Sequence, residues 1–175
     1  MLMALQVQPV AAADQDHAAD VERVLQLSNA GRQTVGLAPL KLSPQLSAAA
    51  LSYSQVLADG SCFQHTCGLV PNFVDRLGQA GYTGWSALGE NIAAGYSTPD
   101  AVVAGWMASA GHRANILSPD YDELGVGVVG GGPYRTYWTQ EFGLRPVAVL
   151  DAAQLPPQGS GDLPTRTELE SASGE

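Results

Sequence analysis

Helix signals fill the first two thirds of this 175-residue chain, and strand signals gather only after them. Residues 20–33, DVERVLQLSNAGRQ, place Val21, Val24, Leu25 and Leu27/Ser28 on one face at helical spacing, until Gly36 and Pro39 break the pattern. Ser43-Pro44 is a helix start, with serine at the N-cap and proline at the first helical position. The Ala- and Leu-rich stretch behind it runs to Asp59 and stops at Gly60. Pro71 opens a shorter helix, PNFVDRLGQAG, that Gly81 closes. Thr98-Pro99-Asp100 repeats the cap, the proline and the first-turn acid, starting a helix that reaches Ala110. HRANIL after Gly111 is one more helical turn, ended by Ser118-Pro119. Two strands follow: Leu124–Val129, an apolar run punctuated by glycine, and Tyr134–Phe142, which alternates aromatic with polar residues. Gly130-Gly131-Gly132-Pro133 is the turn between them. Residues 82–97 are rich in glycine and serine and carry Gly89-Glu90-Asn91 in what reads as a loop.

The expected organisation is one domain over 20–146, a leader or disordered segment over 1–19, and a disordered tail over 147–175. That tail combines Pro, Gly, Ser, Thr and acids with almost no large apolar groups. Hydrophobic residues make up 45% of the chain, enough for a sizeable core, and charged residues only 14% against roughly 25% in typical globular proteins. Net charge is −9, from 17 acids and 8 bases. Nucleic-acid binding needs a basic patch that displaces counterions from phosphates, and this chain has none. The apolar run Met1–Ala13, ending in Ala11-Ala12-Ala13 before Asp14, resembles the end of a secretory signal peptide but lacks a basic n-region. It is too short and too polar to span a membrane. A monomer, secreted or held in the periplasm or cell envelope, is the expectation.

Three segments put a coordinating or acid/base group among small residues: Gln64-His65-Thr66-Cys67-Gly68, Gly89-Glu90-Asn91-Ile92-Ala93 and Gly111-His112-Arg113-Ala114-Asn115-Ile116-Leu117. Two imidazoles and a carboxylate are the groups a divalent metal or an acid/base pair requires. Taken alone, each histidine also reads as a hydrogen-bonding structural residue. Cys62 and Cys67 flank His65. Their spacing does not match the two-residue gap of most zinc knuckles, and no second pair exists. A local disulfide is the favoured reading and two free thiols the alternative; a bridge would mark an oxidising compartment. The chain has no Gly-x-Ser-x-Gly elbow and no His-Glu-x-x-His helix.

These segments, taken in order with Leu27-Ser28-Asn29-Ala30-Gly31-Arg32, Leu37-Ala38-Pro39-Leu40, Val103–Ser109 and Tyr137–Gly143, resemble the bacterial branch of the CAP superfamily, also called SCP or cysteine-rich secretory/pathogenesis-related proteins. The likeness runs from Val21 to Gly143. It implies an α+β fold, a three-layer α–β–α sandwich in a single domain with a surface cleft, in which two histidines and up to two glutamates line the cleft and the histidines can hold a divalent metal, often zinc. Carried over by position, His65 is the first histidine, Glu90 the glutamate of the Gly-Glu-Asn motif and His112 the second histidine. The family's other glutamate falls in the helix that here reads Trp106-Met107-Ala108-Ser109, so Ser109 stands in its place and the set is one carboxylate short.

The expected cleft is therefore His65, Glu90, Ser109 and His112, with His65 and His112 as metal ligands and Glu90 as the candidate catalytic group. Three functions fit. The first is a protein with little or no enzymatic activity that binds a small apolar ligand, an envelope component or a divalent metal. The second is a metal-assisted hydrolase of envelope material with Glu90 as general base. The third is a structural interaction module. Ser109 reads as a helix-terminal or capping serine, and Asn91 and Asn115 as residues that fix loops by hydrogen bonds. A role for Glu90 in orienting a histidine stands beside the catalytic one.

Overall fold

A computed structural model describes residues 17–60, 62–68 and 70–146; the expected tail and all of the expected leader before His17 lie outside them. The elements run α1 (Ala18–Thr34), β1 (Lys41–Leu42), α2 (Pro44–Asp59), α3 (Phe73–Gln79), β2 (Ala87–Ala94), α4 (Pro99–Ala108), α5 (Ala110–Ile116), β3 (Glu123–Gly131) and β4 (Arg135–Leu144). Local chemistry sets the helix starts. The Ser43 side chain accepts the Leu46 amide and Thr98 accepts that of Ala101, each with proline in the first turn. α3 starts later than the sequence suggests. Asn72, not the residue before Pro71, is its cap and accepts the Asp75 amide at 3.0 Å.

The strands are ordered β1-β3-β4-β2. β4 is antiparallel to both β2 and β3, and β1 adds two residues in parallel to β3. β2 corrects the sequence reading: Gly89-Glu90-Asn91 lies mid-strand, paired with β4 over its whole length. Alanine, glycine and asparagine are poor strand formers, and the loop reading followed from that; cross-strand pairing and burial override so weak a preference. Gly89 has its own reason to be there. Its missing Cβ leaves room for the Tyr121 hydroxyl, which would sit 2.6 Å from it. β1 also carries no strand signal of its own and exists through its pairing with β3.

Helices cover both faces of the sheet. On one face α2 sets Tyr53 and Leu57 against Ile92, Val129 and Tyr137. Here β3 is glycine on the facing side: a Cβ on Gly125 would overlap the backbone of Leu46 and Ser47, and one on Gly127 that of Ala50 and Leu51. On the other face α1 and α4 bring Val24, Val102, Val103 and Trp106 onto Val126, Val128, Trp138 and Phe142. Burying each large side chain of this kind stabilises the fold by roughly 1.5–3 kcal/mol. Arg32 of α1 is 2% exposed, and its guanidinium donates to the carbonyls of Ala38, Ile116, Ser118 and Tyr121. The architecture is the expected three-layer α–β–α sandwich.

Candidate functional site

β2 is a terminal strand of the sheet, and the loop before α3 and the helix after α4 meet at its outer side. Between them lies a cavity of about 550 Å³ lined by Phe63, Gln64, His65, Thr66, Ile92 and His112. Four of those six side chains belong to the short ring that the Cys62–Cys67 disulfide closes, so the bridge shapes one whole wall. That ring is also tied from beneath. The Tyr53 hydroxyl donates to the Gln64 carbonyl at 2.6 Å and Arg76 donates to the His65 carbonyl at 3.2 Å. Phe63 closes one end by tilting against Tyr134 and Tyr137, with ring centroids 6.2 and 6.5 Å away.

His112 stands on α5, which is pinned to β2 by two asparagines. Asn91 donates to the His112 carbonyl, and Asn115 donates to the Glu90 carbonyl and to the Asn91 side chain. Burial, and then the nearby His65, hold the His112 imidazole below its ordinary pKa. His112 is thus neutral at pH 7 and offers the cavity a lone pair.

Glu90 lies under the cavity, 8% exposed. One carboxylate oxygen meets His65 Nδ1 at 2.7 Å, and the other takes a close hydrogen bond from the buried Arg76. A carboxylate only accepts, so Nδ1 of His65 carries a proton toward Glu90, and Nε2 is the ring nitrogen left unengaged on a side chain that is largely exposed. Ser109 does not join this group. It occupies the junction of α4 and α5, its side chain caps neither helix, and the cavity lining does not include it.

Two residues of the site escaped the sequence reading. Arg76 is 7% exposed and lies over the Tyr53 ring, its Cζ 3.4 Å from the centroid. Glu141 is the strand partner of Glu90 and is fully buried. The fold therefore sets a second carboxyl beside Glu90 from β4, although the helix position that the family resemblance singles out is Ser109. The available signal was an acid inside a strand whose neighbours, Gln140 and Phe142, are core residues. Among the described residues no three His, Cys, Asp or Glu side chains are placed to share a metal ion. The donors facing the cavity are two imidazoles, and both Glu90 oxygens are engaged below it. Zinc sites take at least three protein ligands, so this set does not fit a resident zinc ion.

An α–β–α sandwich with two histidines over a buried glutamate defines a class, and comparison with known proteins gives it a name. The family model of the cysteine-rich secretory proteins (CAP) matches residues 25–142. The chain belongs to that family. It is 40% identical over 121 residues to the uncharacterized protein YkwD of Bacillus subtilis (strain 168), covering 69% of this chain and 46% of YkwD. It is 29% identical, with a TM-score of 0.69, to an extracellular SCP-domain protein of Bacillus anthracis, covering 79% of this chain and 45% of that one. NaASP2, solved with Zn²⁺, shares the fold at a TM-score of 0.52 and 13% identity, over 71% of this chain and 79% of NaASP2. The chain thus spans less than half the length of YkwD and of the B. anthracis protein. Among the described residues no helix is long and apolar enough to cross a membrane.

Proposed function

We propose that this is an exported CAP protein whose cleft binds a small ligand rather than turning one over. One observation carries the reading: both oxygens of Glu90 are engaged, by His65 and by Arg76, while two imidazoles face the cavity. A general base must reach the proton it removes, and a buried carboxylate already held by two donors is poorly placed to do so. The imidazoles offer polar ring nitrogens, and Phe63 and Ile92 supply apolar wall beside them. The chemistry favours an amphiphilic small molecule, such as an envelope component, with its polar group on the histidines and its apolar part on Phe63. Export is supported by the disulfide and by the extracellular B. anthracis relative.

An exchangeable divalent cation, as distinct from a resident zinc ion, is the second candidate occupant, since NaASP2 was solved with Zn²⁺. It would rest here on His65 and His112 alone and complete its coordination from ligand or solvent. Elemental analysis of the purified native protein, with mass spectrometry of co-purified small molecules, tests both. An amphiphile lost in Thr66→Trp, which fills the cleft, supports the reading. Stoichiometric metal with hydrolytic turnover that disappears in Glu90→Gln would replace it with the hydrolase. A protein that carries nothing, and whose role survives loss of both histidines, would replace it with a structural module.

A further inference from the structure

The buried group the cleft leaves unexplained is Glu141. It is 0% exposed, and among the described residues no protein donor reaches either of its carboxyl oxygens. β2 presents Glu90 directly across, α3 presents Arg76, and α2 presents Tyr53, whose hydroxyl is already committed to the Gln64 carbonyl. The cross-strand neighbour on β3 is Gly125, which contributes no polar group. An ionised Glu141 would be a second negative charge beside Glu90 with two acceptor oxygens unmet, an expensive arrangement in a low-dielectric interior. A proton on Glu141 removes both faults. It cancels the charge and creates an O–H for which Glu90 is the neighbouring acceptor. Burial first, then the charge of Glu90 and a hydrogen bond to it, push the Glu141 carboxyl well above the usual range, with Arg76 opposing.

We infer that Glu141 is a positioning residue of the cleft: as a neutral acid it donates to Glu90, and with Arg76 it holds the Glu90 carboxylate on His65 Nδ1, so that His65 Nε2 faces the cavity. This deepens the binding reading above, which gives His65 its role, but it is a property of the unliganded protein. One competing arrangement keeps Glu141 ionised, with an enclosed water joining it to Arg76 Nε, a buried donor that also lacks a protein partner.

The test is NMR on the ligand-free protein. Carboxyl ¹³C shifts report whether Glu141 is an acid, and imidazole ¹⁵N shifts report the His65 tautomer. The expected result is a Glu141 signal at its acid position at pH 7. In the wild type and in Glu141→Gln, whose amide also donates, the Nδ1–H form of His65 is expected to dominate by about tenfold. In Glu141→Leu, which donates nothing, that preference should shrink several-fold while the amide spectrum remains that of a folded chain. A Glu141 signal at its ionised position at pH 7 overturns the inference, as does a folded Glu141→Leu with the wild-type tautomer ratio. If Glu141→Leu does not fold, the carboxyl signal of the wild type decides alone. Because no ligand is present, a failure here leaves the binding reading standing, and a cleft that binds nothing leaves this result untouched.

Discussion

At the scale of the residue, the site is organised by carboxyl groups that face inward. Glu141 makes this measurable in the stability of the whole chain. Its folded pKa lies above its unfolded one, so the folded state keeps a proton that the unfolded state releases. That contribution is complete below the unfolded value of about 4.3 and fades as pH climbs toward the folded value, by up to about 1.4 kcal/mol per pH unit. Glu141→Gln removes the titration. Urea unfolding between about pH 5 and about pH 8 should show the variant gaining on the wild type as pH rises. Parallel pH profiles would mean that Glu141 is ionised in the fold. The chain's letters placed His65, Glu90 and His112 through their glycine-flanked segments. Nothing local marked Arg76, and Glu141 showed only as an acid inside a strand; the importance of both comes from what faces them across α2, α3 and β2.

At the scale of the element, two features control the cleft. The first is the ring closed by Cys62–Cys67, which carries Phe63, Gln64, His65 and Thr66. So short a loop is worth about 2 kcal/mol in the chain-entropy picture. Reduction should therefore lower the melting temperature modestly yet disturb the His65–Glu90 contact more, seen as new amide and imidazole shifts confined to the cleft. Unchanged imidazole signals in the reduced protein would show that Tyr53 and Arg76 hold the ring without the bridge. The second feature is the glycine side of β3. Gly127→Ala puts a methyl group into the backbone of Ala50 and Leu51, atoms that no rotamer change can clear. A loss of about 1–3 kcal/mol or more is expected by chemical denaturation, because α2 must move off the sheet. The sequence gives the helix caps well, since a cap is a contact between neighbours, with the start of α3 off by a residue or two. It hides β2 and β1, since a strand rich in Ala, Gly and Asn, or one of only two residues, is made by its partner.

At the scale of the whole molecule, Arg32 joins segments far apart in sequence: α1 itself, the stretch before β1, the end of α5 and the approach to β3. Arg32→Met keeps the length of the side chain but leaves four carbonyls without their donor. Because buried polar groups stripped of a partner cost about 1–3 kcal/mol each unless water reaches them, a loss of several kcal/mol is expected. One cooperative transition at lower denaturant should report it. A wild-type midpoint would show that those carbonyls are served by other groups. In the sequence Arg32 lay on a helix and closed one of the family-like segments, but no role was marked for it, and a basic residue on a helix is normally a surface one.

The sequence by itself determined the order of helices before strands, most of the caps, the CAP family and the identities of the two histidines and Glu90. It could do so because capping and periodicity act over a few residues, and because a set of motifs in fixed order is read without coordinates. Only the tertiary structure decided that Glu90 lies on a strand, that Ser109 stands outside the cleft, and that Arg76 and Glu141 lie beneath it. Those facts depend on burial and on neighbours distant in sequence. An acid at position 141 is a solvated charge in an exposed strand and a proton-holding carboxyl in a closed one, and only the fold says which.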